Sequence, residues 1–338
     1  MKKNRILLTG AAGFIGHHFV EHVLKNTDWE IVVLDKINAA GNLNRLTKIK
    51  VWEEEKNRFY FVYHDLRAPI NKLIQEEIGE IDYIIHMAAM SDVDWSIQNP
   101  VETIYDNVVG TGNILQYARW AKPSKFIYFS TDEVYGPVKE NQAGYMEGDR
   151  HNPSNPYSAT KSGAEMLCRA FSNTYNIPIT ITNTMNVFGE RQADTKFVPL
   201  TINKVLNQEE LTIHRDPETG NPGSRYYIHA RNVSARLLSI LNDNELEGLN
   251  NYDAARGVYH IVGEIRVDNL TLAQTIAEIM GKPLKYRMVD FHSSRPGHDP
   301  HYAIDGSKCL GRYGDLPKDF FDSLHKTIQW ELDGKKVS

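Results

Sequence analysis

The stretch Arg5-Ile-Leu-Leu-Thr-Gly10-Ala-Ala-Gly13-Phe-Ile-Gly16 runs a short apolar segment straight into a glycine-rich turn, and a helical pattern, His17–Lys25, follows at once. Glycine at such a turn permits backbone angles that other residues resist, and the missing Cβ lets a large anion approach the main chain. A helix starting there offers unpaired N–H groups and a partial positive charge to that anion. Strand, turn and helix in this order open a βαβ unit, and the first half of the chain repeats the rhythm. Arg5–Leu8, Glu30–Leu34, Phe59–Tyr63, Tyr83–His86, Lys125–Phe129 and Ile179–Thr182 are apolar runs rich in β-branched or aromatic residues, separated by helix-length segments. The pattern predicts a parallel sheet with right-handed crossovers and helices on both faces, a doubly wound α/β fold.

From about residue 190 the rhythm breaks. Asp216–Arg225 is turn-rich, and Pro283, Pro296, Pro300 and Pro317 punctuate the last part. We expect a Rossmann-like domain over 1–185 and a smaller, less regular lobe over 186–338, partly interleaved with the first. At 338 residues the chain is about twice the usual domain length of ~150, which leaves room for both. A net charge of -5, from 43 acidic against 38 basic residues, argues against a nucleic-acid or polybasic membrane binder. No run of about 18 apolar residues is present to span a membrane. The apolar stretch Ile6–Leu8 is far too short for a signal peptide. Cys168 and Cys309 form no CxxC and no disulfide framework, so a cytoplasmic protein is expected. His18 and His22 are spaced as a helical pair, but no third ligand or HExxH accompanies them, and no metal is expected.

The glycine turn gains meaning from residues further along the chain. Asp35 ends the second strand, 19 residues after Gly16, where a carboxylate would bind adenosine ribose hydroxyls and repel a 2′-phosphate. That favours NAD over NADP. Asp65 follows the third strand and His86-Met-Ala-Ala-Met-Ser91 the fourth, both at strand carboxyl ends, where ligands sit in open α/β sheets.

Ser130-Thr131-Asp132-Glu133-Val134-Tyr135-Gly136 comes directly after the fifth strand, and Tyr157-Ser-Ala-Thr-Lys161 opens a helix further on. Tyr157 and Lys161, four apart, share a helix face. An ordinary tyrosine ionises near ~10, and an ammonium with a nicotinamide cation beside it would lower that value. The resulting tyrosinate can accept the proton of a sugar or alcohol hydroxyl while hydride leaves the same carbon.

Together these motifs resemble the extended short-chain dehydrogenase/reductase superfamily, and most closely its dTDP-glucose 4,6-dehydratases, over essentially the whole chain. Further matching blocks are Asp35-Lys36 with Ala40-Gly41-Asn42-Leu43, Asn107-Val-Val-Gly-Thr111, Asn155-Pro-Tyr157, Lys196-Phe-Val-Pro199 and Arg295-Pro-Gly-His-Asp299 leading to Tyr302. The resemblance implies a tightly bound NAD, regenerated each cycle and held by Gly10, Gly13, Phe14, Ile15, Gly16, Asp35, Lys36, Asp65, Leu66, Ala88, Ala89, Ser91, Asn107, Tyr157 and Lys161. The adjacent acids are its most informative feature, because a dehydratase must remove H5 and expel the 6-hydroxyl as water. Glu133 would be the base at C5, Asp132 the acid to O6, and Thr131 would hydrogen-bond the hydroxyl at C4. Such a pair needs like groups held in different protonation states.

The resemblance also implies a nucleotide-sugar substrate contacted by Ser91, Thr131, Asn186, Lys196, Arg225, Asn269, Arg295, His298 and Tyr302. The arginines suit phosphate oxygens through bidentate geometry. It implies a homodimer through a helix pair that includes Tyr157–Tyr175. Some positions depart from the family: Asp92 replaces a histidine, Trp95 an arginine, Met90 an acid, Asp106 a threonine, Tyr226 an aspartate and Arg231-Asn232 an acidic pair. A 4-epimerase or decarboxylase would share Tyr157 without needing Glu133, and a non-catalytic dinucleotide sensor would need neither.

Overall fold

The structure, a computed structural model, describes residues 3–37, 41–139, 142–249, 252–291 and 299–336. Its strands in chain order are β1 (Arg5–Thr9), β2 (Glu30–Asp35), β3 (Phe59–Tyr63), β4 (Tyr83–His86), β5 (Lys125–Thr131), β6 (Ile179–Thr184), β7 (Asn186–Phe188), β8 (Leu211–Arg215), β9 (Ser224–His229), β10 (Val258–Ile261), β11 (Ile265–Asp268) and β12 (Tyr286–Asp290). Seven of them form one sheet in the order β10-β6-β5-β4-β1-β2-β3, and every neighbouring pair is parallel. The six expected strands are all there, and several run one or two residues further toward their carboxyl ends than the apolar pattern alone indicates.

Alternation along the strands shows why helices lie on both faces. Ile6 and Leu8 of β1 and Ile31 and Val33 of β2 pack into one core with Phe19 and Val23 of the helix Phe14–Asn26. Leu7, Val32 and Leu34 point the other way, into a core with Ile114 and Leu115 of the helix Gly110–Ala121 and Ala164 and Cys168 of the helix Pro156–Tyr175. Both faces are apolar and covered, as a parallel sheet requires. Truncating one of these leucines to alanine costs about 2–5 kcal/mol.

The seventh strand was not expected from sequence. β10 comes from the second half of the chain and pairs with β6, Val258 beside Ile181. The helix Ala230–Asn242 returns as well, putting Leu237 and Leu241 into the same core as Phe19. The rest of the second half builds a small sheet, β11-β9-β7, and a two-stranded pair, β12-β8. The helices Phe197–Leu206, Asn269–Ile279 and Phe320–Lys336 pack around Phe188 and Tyr227.

Strand order reverses between β1 and β4, which opens a crevice beyond the strand carboxyl ends. The segment after residue 299 laces the far wall of that crevice. Ser224 N–H donates to the Pro300 carbonyl, Val138 N–H to His301 and Tyr145 N–H to Ala303, so β9 is tied to the loop that follows the candidate acids. Among the described residues no helix is long and apolar enough to cross a membrane.

Candidate active site

The glycine turn is tight for a physical reason. Gly10 has φ +73°, and a Cβ there would lie 2.7 Å from the Ala88 amide nitrogen. A Cβ on Gly16 would lie 2.4 Å from the Gly10 carbonyl oxygen, so the turn closes only without side chains. Gly13 caps the helix Phe14–Asn26 with no side-chain bond to its first amides, and Phe14 and Ile15 are half-buried at its start. Together these features make a cradle of main-chain N–H groups suited to a pyrophosphate. Asp35, at the end of β2, accepts from Ala12 N–H at 3.0 Å and Ile37 N–H at 2.9 Å, which fixes its carboxylate beside the turn. The residues present therefore fit a dinucleotide.

Beside the turn, the Thr9 hydroxyl accepts from Ala88 N–H at 3.1 Å and lies 2.7 Å from His86 Nδ1. His86 is buried between Thr9 and Thr111, and burial first, then the Lys161 charge, pushes it down to about 3. Ala89 and Ser91 continue this loop. Asn107 holds it from the other side: its side-chain oxygen accepts from Met90 N–H at 2.7 Å, while its amide donates to Met90 O at 3.0 Å and to Thr160 Oγ1 at 2.8 Å. Asn107 lies in a π-helical turn, Tyr105–Val109, a distortion often found at working sites. Leu66 is buried, with its carbonyl held by Asn113.

The catalytic candidates converge. β5 ends at Thr131, whose side chain accepts from Glu133 N–H and so starts a single tight turn, Asp132–Tyr135. The Thr131 hydroxyl donates to Asp132 Oδ1 at 3.1 Å and lies in hydrogen-bonding reach of the Tyr157 phenol. Asp132 is 3% exposed and its Oδ2 has no hydrogen-bond partner among the described residues. Burial first, then Glu133 beside it, pushes Asp132 up to about 7, against the pull of Arg225. Burial also raises Glu133, opposed by Arg225, by a 3.4 Å hydrogen bond from the Asn155 amide and by Lys196. Two adjacent carboxyls thus both resist ionisation in a buried pocket.

Tyr157 is fixed by the start of its helix. Asn155 caps it in a capping box with Ser158, Pro156 occupies the first turn, and Ser96 Oγ accepts the Tyr157 N–H at 3.1 Å. One expectation needs correcting. Lys161 does not lower the phenol: its ammonium donates to the Phe129 carbonyl at 2.7 Å and sits 4.3 Å from the centre of the Tyr128 ring. Burial brings that ammonium down to about 8. The Tyr157 phenol is instead held above its ordinary value, by burial first and then by Glu133 and Asp132, with Thr131 opposing.

On the sugar side, Arg225 sits electrostatically close to both acids and 4.7 Å from the centre of the Tyr302 ring. It donates to the carbonyls of Ser224 at 2.8 Å, Pro300 at 2.5 Å and Asp299 at 2.5 Å. Tyr302 OH donates to Asp299 Oδ2 at 2.6 Å, and Ser154 shares that oxygen. Lys196 reaches the Ser91 carbonyl at 3.4 Å and pairs with Asp92 at 3.3 Å, so one departing residue engages a proposed substrate lysine. Two other expected contacts stand apart. Asn186 is exposed on β7, and Asn269 receives the Tyr227 hydroxyl at 3.2 Å. Arg295 and His298 lie outside the described residues.

Sequence reasoning missed Glu165. It is fully buried one turn beyond Lys161, accepts from Ser130 Oγ at 2.5 Å and Asn183 at 2.8 Å, and lies 3.6 Å from His151. The signal was a third polar residue at the same i+4 spacing on an otherwise covered face. His18, spaced from His22 like half of a metal pair, instead packs edge-on against His229 and meets the Glu190 carbonyl at 3.1 Å. A separate cavity of about 320 Å³, lined by Arg236, His260, Cys309 and Phe320, includes none of the catalytic candidates.

Residues 7–326 match the family model described as GDP-mannose 4,6 dehydratase. The chain belongs to that family. Among this dehydratase family's curated relatives, the dTDP-glucose 4,6-dehydratase of Neisseria gonorrhoeae is 34% identical, covering 98% of this chain and 97% of its own. The enzyme of that name from Salmonella typhimurium is 33% identical over 97% of this chain and 92% of its own. A solved dTDP-glucose 4,6-dehydratase from Streptomyces venezuelae, with NAD bound, superposes with a TM-score of 0.86 at 30% identity, covering 98% of both chains. The fold is shared more widely: a UDP-glucuronic acid 4-epimerase from Bacillus cereus, also with NAD, gives 0.83 at 26% identity over 99% of this chain and 100% of its own. The chain is thus an extended short-chain dehydrogenase/reductase and an enzyme of the dehydratase class.

Proposed function

We propose that this family member is an NAD-dependent nucleotide-sugar 4,6-dehydratase, turning a nucleoside-diphosphate hexose into its 4-keto-6-deoxy product. The observation that carries this reading is the buried pair Asp132 and Glu133, both raised, beside Thr131 and Tyr157. A fold that needs only a tyrosine for redox has no use for two adjacent buried carboxyls, one held protonated beside Glu133 and the other drawn back toward the carboxylate by Arg225, Asn155 and Lys196.

NAD⁺, when bound, supplies a hydride acceptor for C4, the donor for C6 and a positive charge near the phenol. That charge would offset the burial and the two acids that keep the phenol protonated, and Tyr157, oriented by Thr131 and its helix cap, would then accept the O4 proton as tyrosinate. Glu133 takes the proton from C5, which the 4-ketone has acidified. Asp132, carrying a proton through much of the neutral range, hands it to the 6-hydroxyl as that group leaves as water. Gly10, Gly13 and Gly16 would hold the pyrophosphate of the cofactor, with Asp35 on the ribose and Asp65, Leu66, Ala88, Ala89 and Asn107 shaping its walls. Arg225, Lys196 and Arg295 would meet the sugar pyrophosphate, with Ser91, Asn186, Asn269, His298 and Tyr302 around it.

The test is to incubate the protein with a panel of nucleoside-diphosphate hexoses in D₂O and follow the products by NMR. The expected product is a 4-keto-6-deoxy sugar carrying deuterium at C5. A C4 epimer without exchange at C5 would replace this reading with an epimerase, and no turnover of any sugar would leave a dinucleotide sensor.

The same reading proposes a homodimer. Val101 is 59% exposed, Ile104 46% and Tyr105 48%, at helical spacing on one side of their helix run. Met166, 46% exposed, lies on the helix Pro156–Tyr175, which packs beside that run. Light scattering on the eluting protein is expected to give twice the chain mass for wild type and a single chain mass for Ile104→Asp.

A further inference from the structure

At the adenosine end of the cleft, the cations Lys36 and Arg67 are both held by carboxylates. Lys36, the residue after Asp35, places Nζ 2.5 Å from Asp106 Oδ1 and 3.6 Å from Asp65 Oδ1. Arg67 lies 2.7 Å from Asp65, 3.2 Å from Glu102 and 3.8 Å from the same Asp106 oxygen. Asp106 is the better shielded partner, its side chain 12% exposed against 22% for Lys36. The two cations therefore face Asp65 and Asp106 in one patch next to Asp35, with Glu102 at its rim.

From this we infer that Asp106 is a specificity-determining residue: by occupying the Lys36 ammonium it denies a 2′-phosphate its counter-charge and fixes the site on the unphosphorylated dinucleotide. The inference rests on the dinucleotide reading of the glycine turn and Asp35. Sites that accept a 2′-phosphate offer a cation beside the ribose. Here the cation is present in the right place, one residue past Asp35, but turned to a carboxylate reaching across from the π-helical turn. Asp35 alone repels a phosphate. Asp106 adds a second negative charge and removes the lysine that would offset the first.

The test exchanges the purified protein into equal concentrations of NAD⁺ and NADP⁺ and measures the bound ratio after acid release. Wild type is expected to hold NAD⁺ in large excess. D106N keeps the side-chain shape and removes the charge, and should move the ratio toward NADP⁺ by roughly tenfold. The double variant K36M/D106N should lose that gain, because the effect runs through the lysine. E102Q, at the exposed rim, should leave the ratio unchanged, and melting curves of all the variants report folding independently. A D106N ratio within twofold of wild type, a gain that persists without Lys36, or an equal gain in E102Q overturns the inference while leaving the dinucleotide site standing. Retention of neither dinucleotide by wild type overturns the site itself.

Discussion

At the dinucleotide end of the cleft the working atoms belong to the main chain: the turn at Gly10, Gly13 and Gly16 and the first amides of one helix. At the sugar end they are side chains, brought from residues 131–133, 155–161, 225 and 299–302 by four separate stretches of chain. A main-chain site tolerates almost any chemistry nearby but no added volume. A side-chain site tolerates volume at its edges but fails when one atom changes its proton count. The two ends should therefore break in different ways.

The largest effect is expected at the side-chain end. Glu133→Gln keeps the volume and removes the base, so kcat should fall about 1000-fold. Because C4 oxidation precedes the step Glu133 serves, reduced cofactor should still accumulate, visible in its near-ultraviolet absorbance. An unchanged rate would remove Glu133 from the mechanism. At the main-chain end a single methyl group should suffice. Gly16→Ala puts a carbon 2.4 Å from the Gly10 oxygen, and overpacking of this kind costs about 1–3 kcal/mol. Thermal melting should drop by several degrees and dinucleotide retention should weaken, with the pH profile of the remaining activity unchanged.

The smallest effect separates stability from chemistry. Asp132 stands at about 7 in the folded chain against an ordinary 3.8, so between those values the folded form binds more protons than the unfolded one. Stability linked to Asp132 is fully present below about pH 4 and is lost as pH rises through 7. Asp132→Asn removes that slope. At pH 8 the variant should melt about 2–4 °C above wild type and at pH 4 show no such gain, even though it cannot donate the proton to the leaving hydroxyl. Equal melting offsets at both pH values would mean that Asp132 is not held protonated by its burial.

How much of this was legible in the sequence obeys the same divide. The glycine turn, Asp35 and the six strands of the first half are local patterns, readable because a few consecutive residues fix each one. Thr131, Asp132, Glu133 and Tyr157 were readable as motifs, and the structure brings them together. The direction of the Tyr157 shift was not, because it depends on where the Lys161 ammonium points, and the Phe129 carbonyl decides that. Glu165 was hidden for the same reason: a buried acid among serine, asparagine and histidine partners is defined by contacts between residues 130, 151, 165 and 183. The ion pairs of Asp92 with Lys196 and Asp106 with Lys36 span 104 and 70 positions, beyond any window of local pattern.

The late arrival of β10 governs how this protein can be made. Until Val258–Ile261 leaves the ribosome, β6 is an edge whose residues, Ile179–Thr184, are all ones the finished fold keeps from water. A nascent or truncated chain ending near residue 185 would display that bare, mostly β-branched edge to every other copy in reach, an invitation to strand-to-strand association. Completion of the sheet waits on most of the length of synthesis, and shortened versions of the first half are expected to precipitate rather than bind nucleotide.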